Sequence, residues 1–71
     1  MTENKTIGQN VKYWRQNRGI SRKELGKYLG ISDAQVRNHE QGITPLKVNR
    51  LRKICKYLRL AESTLLRGSD E

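Results

Sequence analysis

One cysteine, one proline, one histidine and no phenylalanine leave this chain short of the residues that most specialised chemistries need. Cys55 alone cannot close an internal disulfide, and His39 alone leaves no cysteine–histidine set at metal-ligand spacing, which excludes a staple scaffold and a zinc site. No apolar run approaches the ~18 residues of a membrane span. Residues 1–6 are polar, with no hydrophobic signal region, so the expected compartment is the cytosol and no membrane partner is expected. Only 34% of the 71 residues are hydrophobic, enough for one small core and no second domain. A core that small cannot enclose a deep catalytic pocket, and no nucleophile, base and orienter set is present. Neither an enzyme, a cofactor nor a small-molecule ligand is expected.

Acidic residues are scarce too: 7 against 15 Lys and Arg, a formal net charge of +8. The imbalance is also uneven. Between Lys5 and Arg59 lie fourteen of the cationic side chains and only three acidic ones, Glu24, Asp33 and Glu40, whereas both ends are acidic. A cationic central segment attracts a polyanion through steering and counterion release. Charge alone leaves open the alternative of a solvated face that aids solubility.

The rest is helical punctuation. Thr6 and Gln9 have capping-box form, and Ile7, Val11 and Trp14 follow at i, i+4 and i+7, which predicts a first helix ending near Arg18 with Gly19 beyond it. Ser21 and Glu24 repeat the box before Leu25 and Leu29, a second helix over residues 22–29 closed by Gly30. Ser32 and Gln35 open a third, with Val36 and His39 on one side and Gly42 at its end. Thr44 as N-cap and Pro45 at the first helical position predict a fourth over residues 45–58, with Leu51, Ile54, Cys55 and Leu58 as its apolar stripe. Leu60, Leu65 and Leu66 ahead of Gly68 suggest a short fifth. No segment alternates with period two, so the expected class is all-α. The expected organisation is a flexible polar arm (residues 1–6), one domain (7–68) and a disordered acidic tail (69–71).

The second and third helices are separated by Gly30, Ile31 and Ser32 alone, a spacing that suits a sharp turn rather than an antiparallel hairpin. Gly26 is small enough to let the third helix approach the second. With Val36 set inward, a rotation of about 100° per residue puts Ala34, Arg37, Asn38 and Gln41 on the opposite side, with Asp33 at the exposed first turn. Such a short, polar, convex face suits the major groove of DNA. Asn38 can bond adenine, Ala34 can pack on a thymine methyl, Asp33 can accept from cytosine and Arg37 can take guanine or a phosphate, while Gln35 at the flank can do either job. Placed inward, His39 reads as structural. Cys55 and Trp14 read as core, and Tyr28 as either a phosphate contact or a shield over the turn. Residues 47–60 taken alone resemble a basic amphipathic peptide, but their apolar stripe is needed to close so small a core.

Taken together, Ile7-Gly8, Val11, Arg15, Gly19-Ile20-Ser21, Glu24-Leu25, Leu29-Gly30-Ile31-Ser32, Val36, Glu40, Gly42, Pro45 and Leu51 through Leu58 resemble the lambda-repressor-like helix-turn-helix family of Cro-type and XRE-type regulators. The resemblance implies a compact five-helix domain that binds double-stranded operator DNA, usually as a symmetric dimer, and controls transcription. It implies an ion pair between Arg15 and Glu40 that fixes the fold, and phosphate contacts from Ser21 and its neighbour Arg22. The chain departs from the family pattern at Arg22, where glutamine is common, and at Gly26, where alanine is. Lys23, Gln41, Lys47 and Arg50 are the further candidates for backbone contacts, and Leu60, Leu65 and Leu66 for a homodimer interface on a palindromic operator. The competing expectation is a protein-interaction module of antitoxin type whose DNA binding is secondary. RNA is disfavoured for want of an aromatic stacking platform.

Overall fold

The computed structural model describes residues 3–66, with side chains from Thr6 onward; Gly68 and the expected tail at residues 69–71 lie outside the described residues. Five helices follow in order: α1 (Glu3–Asn17), α2 (Arg22–Leu29), α3 (Asp33–Glu40), α4 (Val48–Leu58) and α5 (Glu62–Leu66). Among the described residues there is no strand. The all-α expectation holds.

Two helix starts differ from the sequence signals. Helix α1 runs back through residues 3–6, so Thr6 lies inside it and does not cap it. No proline or glycine separates residues 3–6 from the periodic stretch that follows, and nothing there stops the helix from propagating backwards. Helix α4 starts at Val48, with Lys47 as its N-cap and no side-chain capping bond, rather than at Pro45. Thr44 is committed elsewhere: its N–H donates to the Asn38 carbonyl and its own carbonyl faces the His39 ring. Pro45 therefore sits in the loop, and half-buried Leu46 anchors that loop on the core.

The core is Val11, Leu25, Leu29, Val36, Leu51, Ile54, Cys55, Leu58 and Leu65, one contribution or more from every helix. Ile7, Trp14, Ile20, Ile31, Leu46, Tyr57 and Leu60 pack around it. Burial pushes the Cys55 thiol above its ordinary pKa, with the Glu62 carboxylate adding to the effect, which fits a small core residue better than a reactive thiol. The exposed ring of Tyr28 stacks on Tyr57 with centroids 4.3 Å apart, tying the end of α2 to α4.

Leu65 corrects an expectation. Its side chain is 0% exposed and Asn10 Nδ2 donates to its carbonyl at 2.8 Å, so it closes the core of a single chain and is not available to a second copy. Alternation of an amphipathic helix decides this: adjacent leucines on so short a helix face different ways. Leu66 is 45% exposed and Leu60 is half-buried against the core.

Two glycines set how closely the helices meet. A Cβ on Gly8 would lie 2.2 Å from the His39 carbonyl oxygen and 2.6 Å from that of Glu40, so α1 crosses the end of α3 backbone to backbone. A Cβ on Gly26 would lie 2.7 Å from the Ile31 carbonyl and 3.3 Å from Val36 Cγ2. Gly8→Ala should cost about 3 kcal/mol, because rigid main chain must move, and Gly26→Ala about 1–2 kcal/mol after its gain in helix propensity. Urea-unfolding midpoints check both, and the order should be wild type, Gly26→Ala, Gly8→Ala.

Candidate nucleic-acid interface

Two capping boxes aim α2 and α3. Ser21 Oγ accepts from the Glu24 N–H at 3.0 Å while Glu24 Oε1 accepts from the Ser21 N–H at 2.9 Å. Ser32 and Gln35 do the same for α3, at 3.1 and 3.0 Å. Ser21 and Gln35 therefore begin as structural residues, with the Ser21 hydroxyl and the Gln35 carbonyl oxygen already engaged. Between the helices Gly30 takes φ 76°, a left-handed conformation that a side chain would oppose, and the Ile31 N–H closes back onto the Gly26 carbonyl at 2.9 Å.

A buried ion pair fixes the other end of α3. Arg15 Nε donates to Glu40 Oε2 at 2.6 Å, Arg15 Nη2 to Glu40 Oε1 at 3.3 Å, and Arg15 Nη1 to the Ile20 carbonyl at 2.7 Å. Both residues are buried, with exposures of 6% and 5%. One guanidinium thus joins α1, the loop before α2 and the last turn of α3, as the family resemblance implied.

His39 is buried as expected, and its protons can be placed. A carbonyl only accepts, so Nδ1 carries the hydrogen that meets the Thr44 oxygen at 3.0 Å. A guanidinium only donates, so Nε2 is bare and accepts from Arg50 Nη1 at 3.1 Å. The ring braces the loop after α3 and holds Arg50 at the surface.

With Val36, His39 and Glu40 turned inward, α3 presents Asp33, Ala34, Gln35, Arg37 and half-buried Asn38, with Gln41 just beyond its last turn. Among the described residues the side chains of Arg37 and Asn38 make no ion pair or hydrogen bond. Arg22 and Asp33 form an exposed ion pair, Nε to Oδ1 at 3.3 Å. Lys23 and Lys47 are exposed.

On each side of this face lies an open cationic cleft. One, about 600 Å³, runs between α1 and α3 and is lined by Gln9, Lys12, Gln16, Arg22, Arg37 and Gln41 over the Arg15–Glu40 pair. The other, about 340 Å³, lies beyond the α3–α4 loop and includes His39, Lys47, Asn49, Arg50 and Lys53. Sequence reasoning missed Gln9, Lys12, Gln16, Asn49 and Lys53. Their signal was present as polar stripes, at i, i+3 and i+7 on α1 and at i and i+4 on α4.

A family model described as helix-turn-helix matches residues 11–65, most of the chain. The chain belongs to the helix-turn-helix family. Within that family it is 30% identical over 57 residues to the uncharacterized HTH-type transcriptional regulator y4wC of Sinorhizobium fredii, covering 80% of this chain and 40% of that protein. The chain thus spans less than half the length of the curated relative it matches. Among solved structures, the P22 c2 repressor, crystallised with a synthetic operator, superposes with a TM-score of 0.78 at 26% identity, covering 87% of this chain and 94% of that one. The restriction-modification controller protein C.AhdI of Aeromonas hydrophila gives 0.83 at 20% identity, with 92% and 98% covered. The clp gene regulator ClgR of Corynebacterium glutamicum gives 0.83 at 19%, with 89% and 82% covered. The helix-turn-helix is therefore residues 22–40, α2 and α3 joined by the turn at Gly30.

Because the ion pair is buried, removing one partner strands the other. Glu40→Ala should cost about 3–5 kcal/mol, whereas Arg15→Met combined with Glu40→Leu should cost far less, since no uncompensated charge is left behind. Chemical denaturation of the three proteins measures the difference.

Proposed function

We propose that this chain is a transcriptional regulator that binds double-stranded DNA in a sequence-specific manner, with α3 in the major groove. The observation that carries the reading is the polar outer face of α3 set between two cationic clefts. A major groove about 12 Å wide has a phosphate chain along each rim, and a helix lying in it needs cations on both flanks. Ala34, Arg37 and Asn38 are the base-reading residues, with Gln35 at the flank through its remaining amide N–H groups. Ser21, Lys23 and Gln41 on one side and Lys47 and Arg50 on the other serve the backbone, joined by Lys12 and Lys53. Family and fold are those of regulators rather than enzymes, and such a protein works in the cytosol, where DNA is accessible.

Binding as a homodimer to a palindromic operator completes the proposal. The domain measures 30 × 23 × 21 Å, so two copies reading half-sites one helical turn, about 34 Å, apart are separated by a little more than their own length and meet through side chains at their ends. Exposed Leu66 and half-buried Leu60 are the apolar contacts proposed for the pair. Repression is the favoured sign, in keeping with the c2 repressor likeness.

Asn38→Ala should weaken operator binding by about 1–3 kcal/mol and leave random duplex almost unaffected. Lys47→Ala should weaken both alike and lower the slope of log K against log salt by about 1. Fluorescence anisotropy at several salt concentrations reads both outcomes, and equal effects of Asn38→Ala on the two DNAs would remove it from the base-reading set. Leu66→Glu should leave thermal unfolding of the free protein unchanged and shift operator binding from two-fold to single-copy occupancy in sedimentation runs.

A further inference from the structure

Resting on the reading that Arg50 serves the DNA backbone beside α3, we infer that His39 is a positioning residue for that contact: it holds the Arg50 guanidinium in register with the base-reading face. A chain of hydrogen bonds joins the two. The Asn38 carbonyl accepts from the Ile43 N–H at 2.9 Å and from the Thr44 N–H at 3.3 Å. The Thr44 carbonyl accepts from His39 Nδ1 at 3.0 Å, and His39 Nε2 accepts from Arg50 Nη1 at 3.1 Å. The imidazole is only 4% exposed and is held at both nitrogens, so it carries the position of α3 to a side chain on α4.

The choice of acceptor matters. A carboxylate would hold a guanidinium as firmly but would cancel its charge for a phosphate, whereas an imidazole nitrogen orients it and leaves the charge whole. Among the described residues, no carboxylate lines this cleft. Arg50 Nε and Nη2 have no partner among the described residues and remain as a fork for phosphate oxygens. Lys47 and Lys53, exposed on the same cleft, have no such brace. A loose lysine finds a phosphate on any duplex. A braced arginine, fixed relative to Asn38, meets one at a set distance from the base edges, and phosphate contacts of that kind set the register that base contacts then use. Holding the side chain in advance also avoids the cost of immobilising it on binding.

A double-mutant cycle tests the link, using the best-bound duplex selected from a random pool and a random duplex, with wild type, His39→Leu, Arg50→Ala and the double variant. Leucine fills the place of the ring without offering an acceptor, and unfolding midpoints set a temperature at which all four proteins are folded. Arg50→Ala should weaken binding to both duplexes and lower the salt slope by about 1. His39→Leu should weaken the selected duplex about fivefold, leave the random duplex almost unchanged, and have no further effect once Arg50 is alanine. An equal loss on both duplexes, or a loss that persists in full without Arg50, overturns the positioning role and leaves the phosphate contact standing. If Arg50→Ala binds as tightly as wild type with the same slope, the contact falls and the inference with it; if no duplex is preferred, the reading of α3 falls as well. Nitrogen-15 spectra of the wild-type chain near neutral pH, which need no substitution, should show hydrogen on His39 Nδ1 and a bare Nε2, and hydrogen on Nε2 would overturn the brace.

Discussion

The Arg15–Glu40 pair is the constraint on which the rest of the molecule depends. A carboxylate and a guanidinium taken out of water cost several kcal/mol each in solvation, and their attraction returns that only with matched geometry and no idle hydrogen-bonding groups. Here the guanidinium reaches both carboxylate oxygens and the Ile20 carbonyl. Among the described residues no buried side-chain polar atom lacks a partner. Such a pair adds little net stability but strong direction, because a slightly rotated α3 would leave a charge buried alone. In a core of nine buried apolar residues, oil-like packing by itself would tolerate that rotation.

Direction matters because α3 has only eight residues. Its inner face is held by Val36, by the ion pair and by His39, and its approach is set by the absence of side chains at Gly8 and Gly26. What remains outward is polar and largely unengaged. Stability and recognition are thus separated by face: one side of the helix is consumed in holding its angle, the other is free to meet a partner. The same separation extends to the cations. Arg15 is enclosed by its partners and Arg18 is tied to the Leu58 carbonyl and the Trp14 ring, whereas Lys12, Lys23, Lys47 and Lys53 are exposed.

Helix number, the turn at Gly30 and the inward face of α3 could be read from the sequence because local chemistry specifies them: a capping serine, a glutamate or glutamine three residues on, a glycine where φ must be positive. Where tertiary contacts compete with local signals, reading failed. Thr44 and Pro45 have the form of a helix start, yet Thr44 is drawn into bonds with Asn38 and His39, and α4 begins three residues after Pro45. Leu65 and Leu66 look equivalent in sequence, and only the docking of α5 on α1 decides which is core. The clefts needed side chains from helices distant in sequence. Lys12 and Arg37, or His39 and Lys53, come together only once α1, α3 and α4 are packed, so their composition was legible and their meeting was not.

The central claim is geometric, and titration of the isotopically labelled full chain with a duplex, followed by amide chemical shifts, tests it most directly. The account predicts that the largest changes fall on residues 33–38 and on the cationic rims at Lys12, Gln41, Lys47 and Arg50, while Leu25, Ile54 and Leu65 stay still. Changes centred instead on α5 and the Tyr28–Tyr57 stack, with α3 unmoved, would contradict it.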